Sequence, residues 1–207
     1  ARINSDKNWG SVAVINTDKK SKFDYLTMIG GSSSEKINGV VFTGMLAAHN
    51  ADLYVYNSNF YQDGDDDAIN VKYGTGEILN SGFYDMQGDA IDIDYTDNFI
   101  ISKNTFSSIG LGIDGDAIDL SFSNDALISQ NNINHVSDKG ISVGEKSRSE
   151  IFENIIKNCL MAIAVKDESY ALIHNNVFSD NAEDIALYVK KPIFGQPKAE
   201  IRDNVYK

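Results

Sequence analysis

Apolar residues return along this chain at intervals far longer than a helical turn. Ile69, Ile91, Ile118, Ile141, Ile163 and Ile185 stand 22, 27, 23, 22 and 22 residues apart. The sequence around them repeats too: Gly88-Asp89-Ala90-Ile91-Asp92-Ile93-Asp94 comes back as Gly115-Asp116-Ala117-Ile118-Asp119-Leu120-Ser121, with a looser copy at residues 66–72. Within each copy apolar and polar residues alternate, the pattern of a strand with one face buried. A fixed period of this length marks a solenoid, whose units bury apolar surface only against their neighbours.

A second apolar run follows each marker about ten residues on, in the form apolar-x-x-Asn-x-aromatic or aliphatic. It reads Ile101 with Asn104 and Phe106, Ile128 with Asn131 and Ile133, Ile151 with Asn154 and Ile156, Ile173 with Asn176 and Phe178, and Ile201 with Asn204 and Tyr206. Ser58 and Ser81 take the Asn position earlier. Stacked Asn side chains can satisfy backbone groups that a tight corner would otherwise bury unpaired, so this column is structural. Leucine-rich repeats share the period, but here Ile outnumbers Leu by 24 to 10. Each unit also has two strand-like runs, and no helical pattern separates them. The expected fold is all-β: a parallel β-helix of about eight coils.

The same pattern extends towards the N-terminus. Val12 and Val40 align as further markers, with longer steps of 28 and 29 residues. The polar run 32–36 and residues Thr43 to Asn50 read as loops that absorb the extra length. The expected organisation is one domain, 1–207, with residues 1–36 an irregular first coil and cap. Trp9 is placed to cover the open end of the stack.

Alternation also decides which side chains face out. With Ile91 and Ile93 inward, Asp92 and Asp94 point outward, and parity forms two rows. One row runs Asn70, Asp92, Asp119, Ser142, Ala164; the other runs Lys72, Asp94, Ser121, Gly144, Lys166. Asp92 and Asp119 then lie about one strand spacing apart, roughly 5 Å. Such like charges need a cation between them or a proton on one of them. With Asp89, Asp114 and Asp116 at the preceding corner, the oxygen-rich cluster suits Ca²⁺; alternatively Asp-Gly-Asp is plain turn chemistry. As a pair of carboxylates, Asp92 and Asp119 also fit glycoside hydrolysis.

Composition narrows the partners. The net charge of −12 disfavours nucleic acid and anionic membrane surfaces, and no apolar run approaches the roughly 20 residues of a membrane span. Cys159 is the sole cysteine and reads as an inert, partly buried thiol. His49, His135 and His174 fall at unrelated offsets and do not suggest a zinc site. The glycines of residues 110–115 read as a corner insertion, since no helix follows to make a phosphate cradle. Tyr54, Tyr56, Phe60, Tyr61, Tyr73, Phe83, Tyr84 and Tyr95 crowd the N-terminal half, some as core layers and others as a sugar-stacking surface.

The Asp-Ala-Ile-Asp and Ile-x-x-Asn-x-Phe units resemble the right-handed parallel β-helix superfamily, the pectate-lyase-like solenoids. Residues 38–44, 68–73 and 138–147 are similar to β-helix segments of bacterial surface proteins that accompany a spore-coat-H-type domain. The resemblance implies right-handedness, an extracellular or cell-surface setting, polysaccharide or oligosaccharide partners and further domains of a longer chain. It also implies an arrangement in which Asn70, Asp92 and Asp94 hold Ca²⁺ and a nearby Lys, Lys72, acts as base in a polysaccharide lyase. The set expected at a metal is therefore Asn70, Asp89, Asp92, Asp94, Asp116 and Asp119, and the set expected in catalysis is Lys72, Asp92 and Asp119. No Lys or Arg occupies the coil after Asp119 in these rows. Two functional readings follow: a carbohydrate-binding or scaffold module, and a Ca-dependent lyase or a glycoside hydrolase. An ice-binding face is a poor third reading, since it would need a flat, repeated Thr row.

Overall fold

The computed structural model describes residues 9–31, 36–64, 66–112 and 114–207. Among them there is no helix, and all but one short strand pair belongs to a single parallel ladder. The chain winds through three faces. Val12, Leu46, Ile69, Ile91, Ile118, Ile141, Ile163 and Ile185 stack on the first face. Phe23, Val55, Ile78, Ile101, Ile128, Ile151, Ile173 and Ile201 stack on the second. Met28, Phe60, Phe83, Phe106, Ile133, Ile156, Phe178 and Tyr206 stack on the third. About six turns thus have a neighbour on both sides, between a first and a last pass that do not.

The three inward columns make the core. Phe60, Phe83 and Phe106 stack at 5.1 and 5.0 Å between centroids, nearly parallel, and all three are fully buried. Parallel in-register strands put like residues about 4.8 Å apart, so a column of rings or branched chains packs itself. The second sequence run is in fact two strands. Asn104, Asn131, Asn154, Asn176 and Asn204 stand at the corner between them, each after a residue of positive φ such as Lys103 or Glu153.

At that corner each Asn Oδ1 from Asn131 on accepts both the backbone N–H and the Nδ2–H of the Asn one coil earlier, and Asn104 Oδ1 accepts the Ser81 N–H. The distances are 2.9 and 3.1 Å from Asn104 to Asn131, and 2.9 and 3.0 Å from Asn131 to Asn154. The Nδ2 groups also donate to core-strand carbonyls, as Asn154 does to Ile128 O at 3.0 Å. Left-handed backbone on a non-glycine residue costs roughly 1 kcal/mol or more. The buried ladder offsets that cost at every coil.

A second ladder, not marked out by the repeat analysis, runs at the corner between the first and second faces. There Thr96, Ser123 and Ser147 backbone N–H groups donate to the hydroxyls of Ser123, Ser147 and Ser169 at 3.2, 3.0 and 3.1 Å.

The N-terminal alignment needs one correction. Val40 is not in the marker column; Leu46 is. Lys36–Ile37 and Val40–Val41 form an antiparallel hairpin, with both valines exposed. Asn38 and Gly39 have φ of 49° and 86°, the left-handed pair of a two-residue hairpin turn. The chain doubles back before the coil begins. Residues Thr43 to Asn50 are accordingly no loop: Gly44–Tyr56 is a 13-residue strand that carries His49 on the first face. Trp9 packs against the core, its Nε1 donating to Ile29 O at 2.7 Å. The remainder of the expected cap, residues 1–8 and 32–35, and residue 113 of the glycine-rich corner lie outside the described residues.

Candidate functional site

The first face presents the two expected rows. Asp92 is in register with Asn70 and Asp119, and Asp119 with Ser142. Asp94 is in register with Lys72 and Ser121. One residue pair further back, the corner adds Asp67, Asp89, Asp116 and Lys139, which precede their markers by two positions. Two acidic columns therefore flank the marker isoleucines.

Stacked acids in a partly dry setting must be relieved, and the relief comes from protons, amides and lysines. Burial, then the charges of Asp94, Asp119 and Asp89, push the Asp92 carboxyl well above the usual carboxylate range. Burial and Asp92 do the same to Asp67, and burial and Asp116 to Asp89. Asp116 rises to about 6, through burial and Asp119, with Lys139 opposing. Asp89 Oδ1 accepts the Asp116 amide at 2.6 Å, and Asp116 Oδ1 accepts the Lys139 amide at 3.0 Å and its ammonium at 3.2 Å. Asn70 is fully buried; its Nδ2 donates to Asp92 Oδ2 at 2.7 Å, and its Oδ1 lies 3.1 Å from His49 Nε2.

Three lysines complete the neutralisation. Lys72 Nζ meets Asp94 Oδ2 at 2.8 Å, and Lys139 is buried between Asp116 and Asp138. Burial works against the Lys72 charge, but the Asp94 hydrogen bond and charge prevail and raise its pKa. Lys166, only 3% exposed, reaches Asp119 Oδ1 at 3.8 Å from two coils away. It can do so because Gly144 occupies the intervening coil: a Cβ there would lie 3.0 Å from Lys166 Cε. The empty coil after Asp119 is thus crossed by a long side chain, and the acidic row ends on a cation after all.

The cation that these residues were expected to hold has a demanding donor set. Ca²⁺ takes 6–8 oxygens. Here Asp94 is engaged by Lys72, Asp116 by Lys139, Asp89 by a backbone amide, and Asn70 turns its amide N–H towards Asp92. Among the described residues no three carboxylate, imidazole or thiol groups converge at ligand spacing. In this arrangement most of the expected donors are therefore already engaged.

Two walls border the face. Tyr73, Tyr95 and Phe122 directly follow Lys72, Asp94 and Ser121, all with left-handed backbone, and stack at 4.9 and 4.8 Å. Tyr73 is 59% and Tyr95 46% exposed, so this part of the aromatic set is a surface ladder; Phe60 and Phe83 are core. At the far end, residues 189–197 fold back over the coils. The Lys190 and Lys191 amides donate to Asp167 Oδ1 at 2.7 and 2.8 Å, Lys191 Nζ pairs with Glu145, and the Phe194 ring meets Phe122 edge-on at 6.1 Å. Ser142 and Ala164 are buried beside this segment, while the Asp119 side chain keeps 22% exposure. The accessible part of the rows therefore centres on Asp92, Asp94 and Asp119.

The remaining sequence candidates lie elsewhere. His174 pairs with Glu150 at 2.9 Å on the second face, and His135 is exposed at the third. Cys159 is buried, and burial pushes its thiol up to about 12, which leaves it inert.

A solenoid of parallel strands with an acidic, lysine-braced outer face defines a class, the parallel β-helices. The family model described as "Right handed beta helix region" matches residues 67–207, so the chain belongs to that family and its coils are right-handed. Among solved structures it is similar to the GH136 lacto-N-biosidase from Eubacterium ramulus, with a TM-score of 0.58 and 13% identity. The match covers 96% of this chain and 45% of that one, so this chain spans less than half of that structure. A selenomethionine form of the same enzyme matches with a TM-score of 0.45. At such identity the likeness shows the fold alone. No curated protein matches the chain.

Proposed function

We propose that the first face binds carbohydrate and hydrolyses glycosidic bonds, with Asp92 and Asp119 as the reacting pair. The observation that carries this reading is a pair of outward carboxyl groups in register on neighbouring coils, one hydrogen-bonded to a buried amide and the other facing an ammonium. Burial and its acidic neighbours make Asp92 harder to ionise, while Asp119 lies 3.8 Å from Lys166. Two adjacent carboxyl groups in unlike surroundings, one of them made harder to ionise, are the acid and base pattern of glycoside cleavage. The exposed Tyr73–Tyr95 ladder borders the pair, and aromatic surface next to acids suits a sugar's alternating C–H and hydroxyl surfaces. The acidic surface, at net charge −12, favours a neutral glycan over an anionic one.

The chemistry follows from the register. In-register neighbours on parallel strands stand about 4.8 Å apart. That is near the ~5–5.5 Å carboxyl separation of retaining enzymes. Asp92 gives its proton to the leaving glycosidic oxygen as the C–O bond breaks, and Asp119 bonds to the anomeric carbon. Water, deprotonated by the Asp92 carboxylate, then displaces Asp119. A lyase is disfavoured because its Lys base must shed a proton, and Asp94 raises the Lys72 pKa.

The test is incubation with a panel of neutral and uronate oligosaccharides, read by new reducing ends and by the anomer formed first. Cleavage of a neutral member with retained configuration is expected, reduced roughly 100- to 10,000-fold in Asp92→Asn and Asp119→Asn. Binding without cleavage would leave a carbohydrate-binding module. Neither binding nor cleavage would favour the scaffold reading, whose support is that most acids here already have amide or ammonium partners.

A further inference from the structure

The second face holds a cavity of about 290 Å³, on a different side of the solenoid from the acidic rows. It opens over the strands Ala126–Ser129, Arg148–Phe152 and Tyr170–His174, and is lined by Asp125, Leu127, Arg148, Ser149, Tyr170 and Leu172. Its volume is near the lower end of ligand pockets, about 300–1,000 Å³, enough for one ring.

Its lining combines groups that the fold leaves unused. The Arg148 guanidinium lies 5.0 Å from the Tyr170 ring centre, and among the described residues it has no carboxylate within salt-bridge reach. Asp125 precedes Ala126, which is in register with Ser149, so Asp125 and Arg148 face each other across neighbouring coils without pairing. Ser149 is in register with the buried Ala126 and Ala171 and shares their inward side, so its hydroxyl is no ligand group of the cavity. Leu127 and Leu172 share one outward column, two coils apart, and give the cavity an apolar floor. Glu150, between them in that column, has one oxygen on His174 at 2.9 Å.

We propose that this cavity is a binding site for a single neutral hexopyranose ring, separate from the acidic face. The leucine floor matches the C–H face of such a ring. The Asp125 carboxylate and the Arg148 guanidinium, the latter stacked on Tyr170 and both outside any ion pair among the described residues, supply acceptors and donors for neighbouring hydroxyls from adjacent coils. A phosphate or carboxylate ligand would gain Arg148 but face Asp125 and Glu150 at close range, which costs affinity for anions. A plain apolar ligand would strand the charged groups. A hydroxylated, uncharged ring suits the outward carboxylate and guanidinium together.

The experiment is protein-observed NMR, followed at the Tyr170 and Leu172 signals of the second face, with methyl β-galactoside, methyl β-glucoside and N-acetylglucosamine, and with glucuronate as the charged counterpart. The proteins are the parent, Arg148→Ala, Asp125→Ala and, for the other face, Asp92→Asn. Arg148 and Asp125 are exposed, so both variants keep the core, which circular dichroism and melting verify. Binding of at least one neutral sugar is expected. It should weaken at least tenfold in Arg148→Ala and in Asp125→Ala and persist in Asp92→Asn. Binding that survives both second-face substitutions, that is lost only in Asp92→Asn, or that favours glucuronate would overturn the proposal, as would no binding of any neutral probe at 10 mM in about the weakest range such sites show. Failure of hydrolysis at the first face leaves this outcome untouched, because the two sites are read by different variants.

Discussion

The Asn corner and the acidic face are built on the same coils and obey opposite rules. At the corner the residue is the same from Asn104 to Asn204, and each side chain makes the same bonds to the next. On the acidic face the row changes along the stack, from Asn70 through Asp92 and Asp119 to Ser142 and Ala164. A uniform column satisfies itself, because each member is both donor and acceptor for its neighbours. A changing column cannot; its acids need protons and lysines drawn from further along the stack. Identity along a solenoid therefore marks the scaffold, and departure from identity marks the place where something other than stacking is served.

Breaking the uniform column should cost the most stability. Asn154 accepts two hydrogen bonds from Asn131 and donates to Ile128, Phe152 and Asn176. Its loss strands several buried groups, so Asn154→Ala should lower unfolding free energy by on the order of 3–5 kcal/mol in a denaturant titration. Asn204, in the last coil, is only half-buried, and Asn204→Ala should cost markedly less.

A smaller loss is expected where the changing rows depend on a missing side chain. Gly144→Ala forces Lys166 aside, an overpacking cost of about 1–3 kcal/mol in the same titration. It should also move the pH profile of turnover, by taking the ammonium from Asp119. A Gly144→Ala protein with parental stability and profile would mean that Lys166 finds another route.

The smallest expected effect has the opposite sign. Asp67, Asp89 and Asp92 are harder to ionise in the folded chain than in the unfolded one, and Asp116 is raised to about 6. The folded state then holds more protons, so stability is greatest below the unfolded carboxylate pKa, near 3.9, and declines as pH rises through the folded values. For Asp116 that window runs from about 4 to about 6. Glu145, lowered by Lys191 and Ser121 against the pull of burial, works the other way and loses its contribution as pH falls through its depressed value. Melting temperature should accordingly drop as pH rises from about 4 to about 6, and Asp89→Asn, which keeps the oxygen that accepts the Asp116 amide, should lessen the drop. A parent whose melting temperature rises over that range would contradict the buried-proton account.

Much of this contrast is legible in the sequence. Strict recurrence of Ile and Asn gives the parallel stack, the column of corner amides and the two outward rows, because in-register strands turn a linear period directly into neighbours. The hairpin at Asn38-Gly39 is local turn chemistry, and it was hidden by Val40–Val41, which look like a coil strand. The third face is hidden because its single aromatic or aliphatic residue sits two positions past the Asn, too close to read as a separate strand. Lys166 meeting Asp119 is less legible still, since it depends on side-chain length, a span of two coils and the gap at Gly144. The segment 189–197 occurs once, and a unique insertion carries no periodic signal that would place it beside Phe122.

The central claim is that the changing column does the work and the uniform one holds it up. Its most direct test is turnover of a cleaved neutral oligosaccharide per folded molecule, measured in Asp92→Asn at a pH near 6. The account predicts a fold no less stable than the parent and a rate reduced roughly 100- to 10,000-fold. A folded Asp92→Asn protein that keeps the parental rate would contradict it.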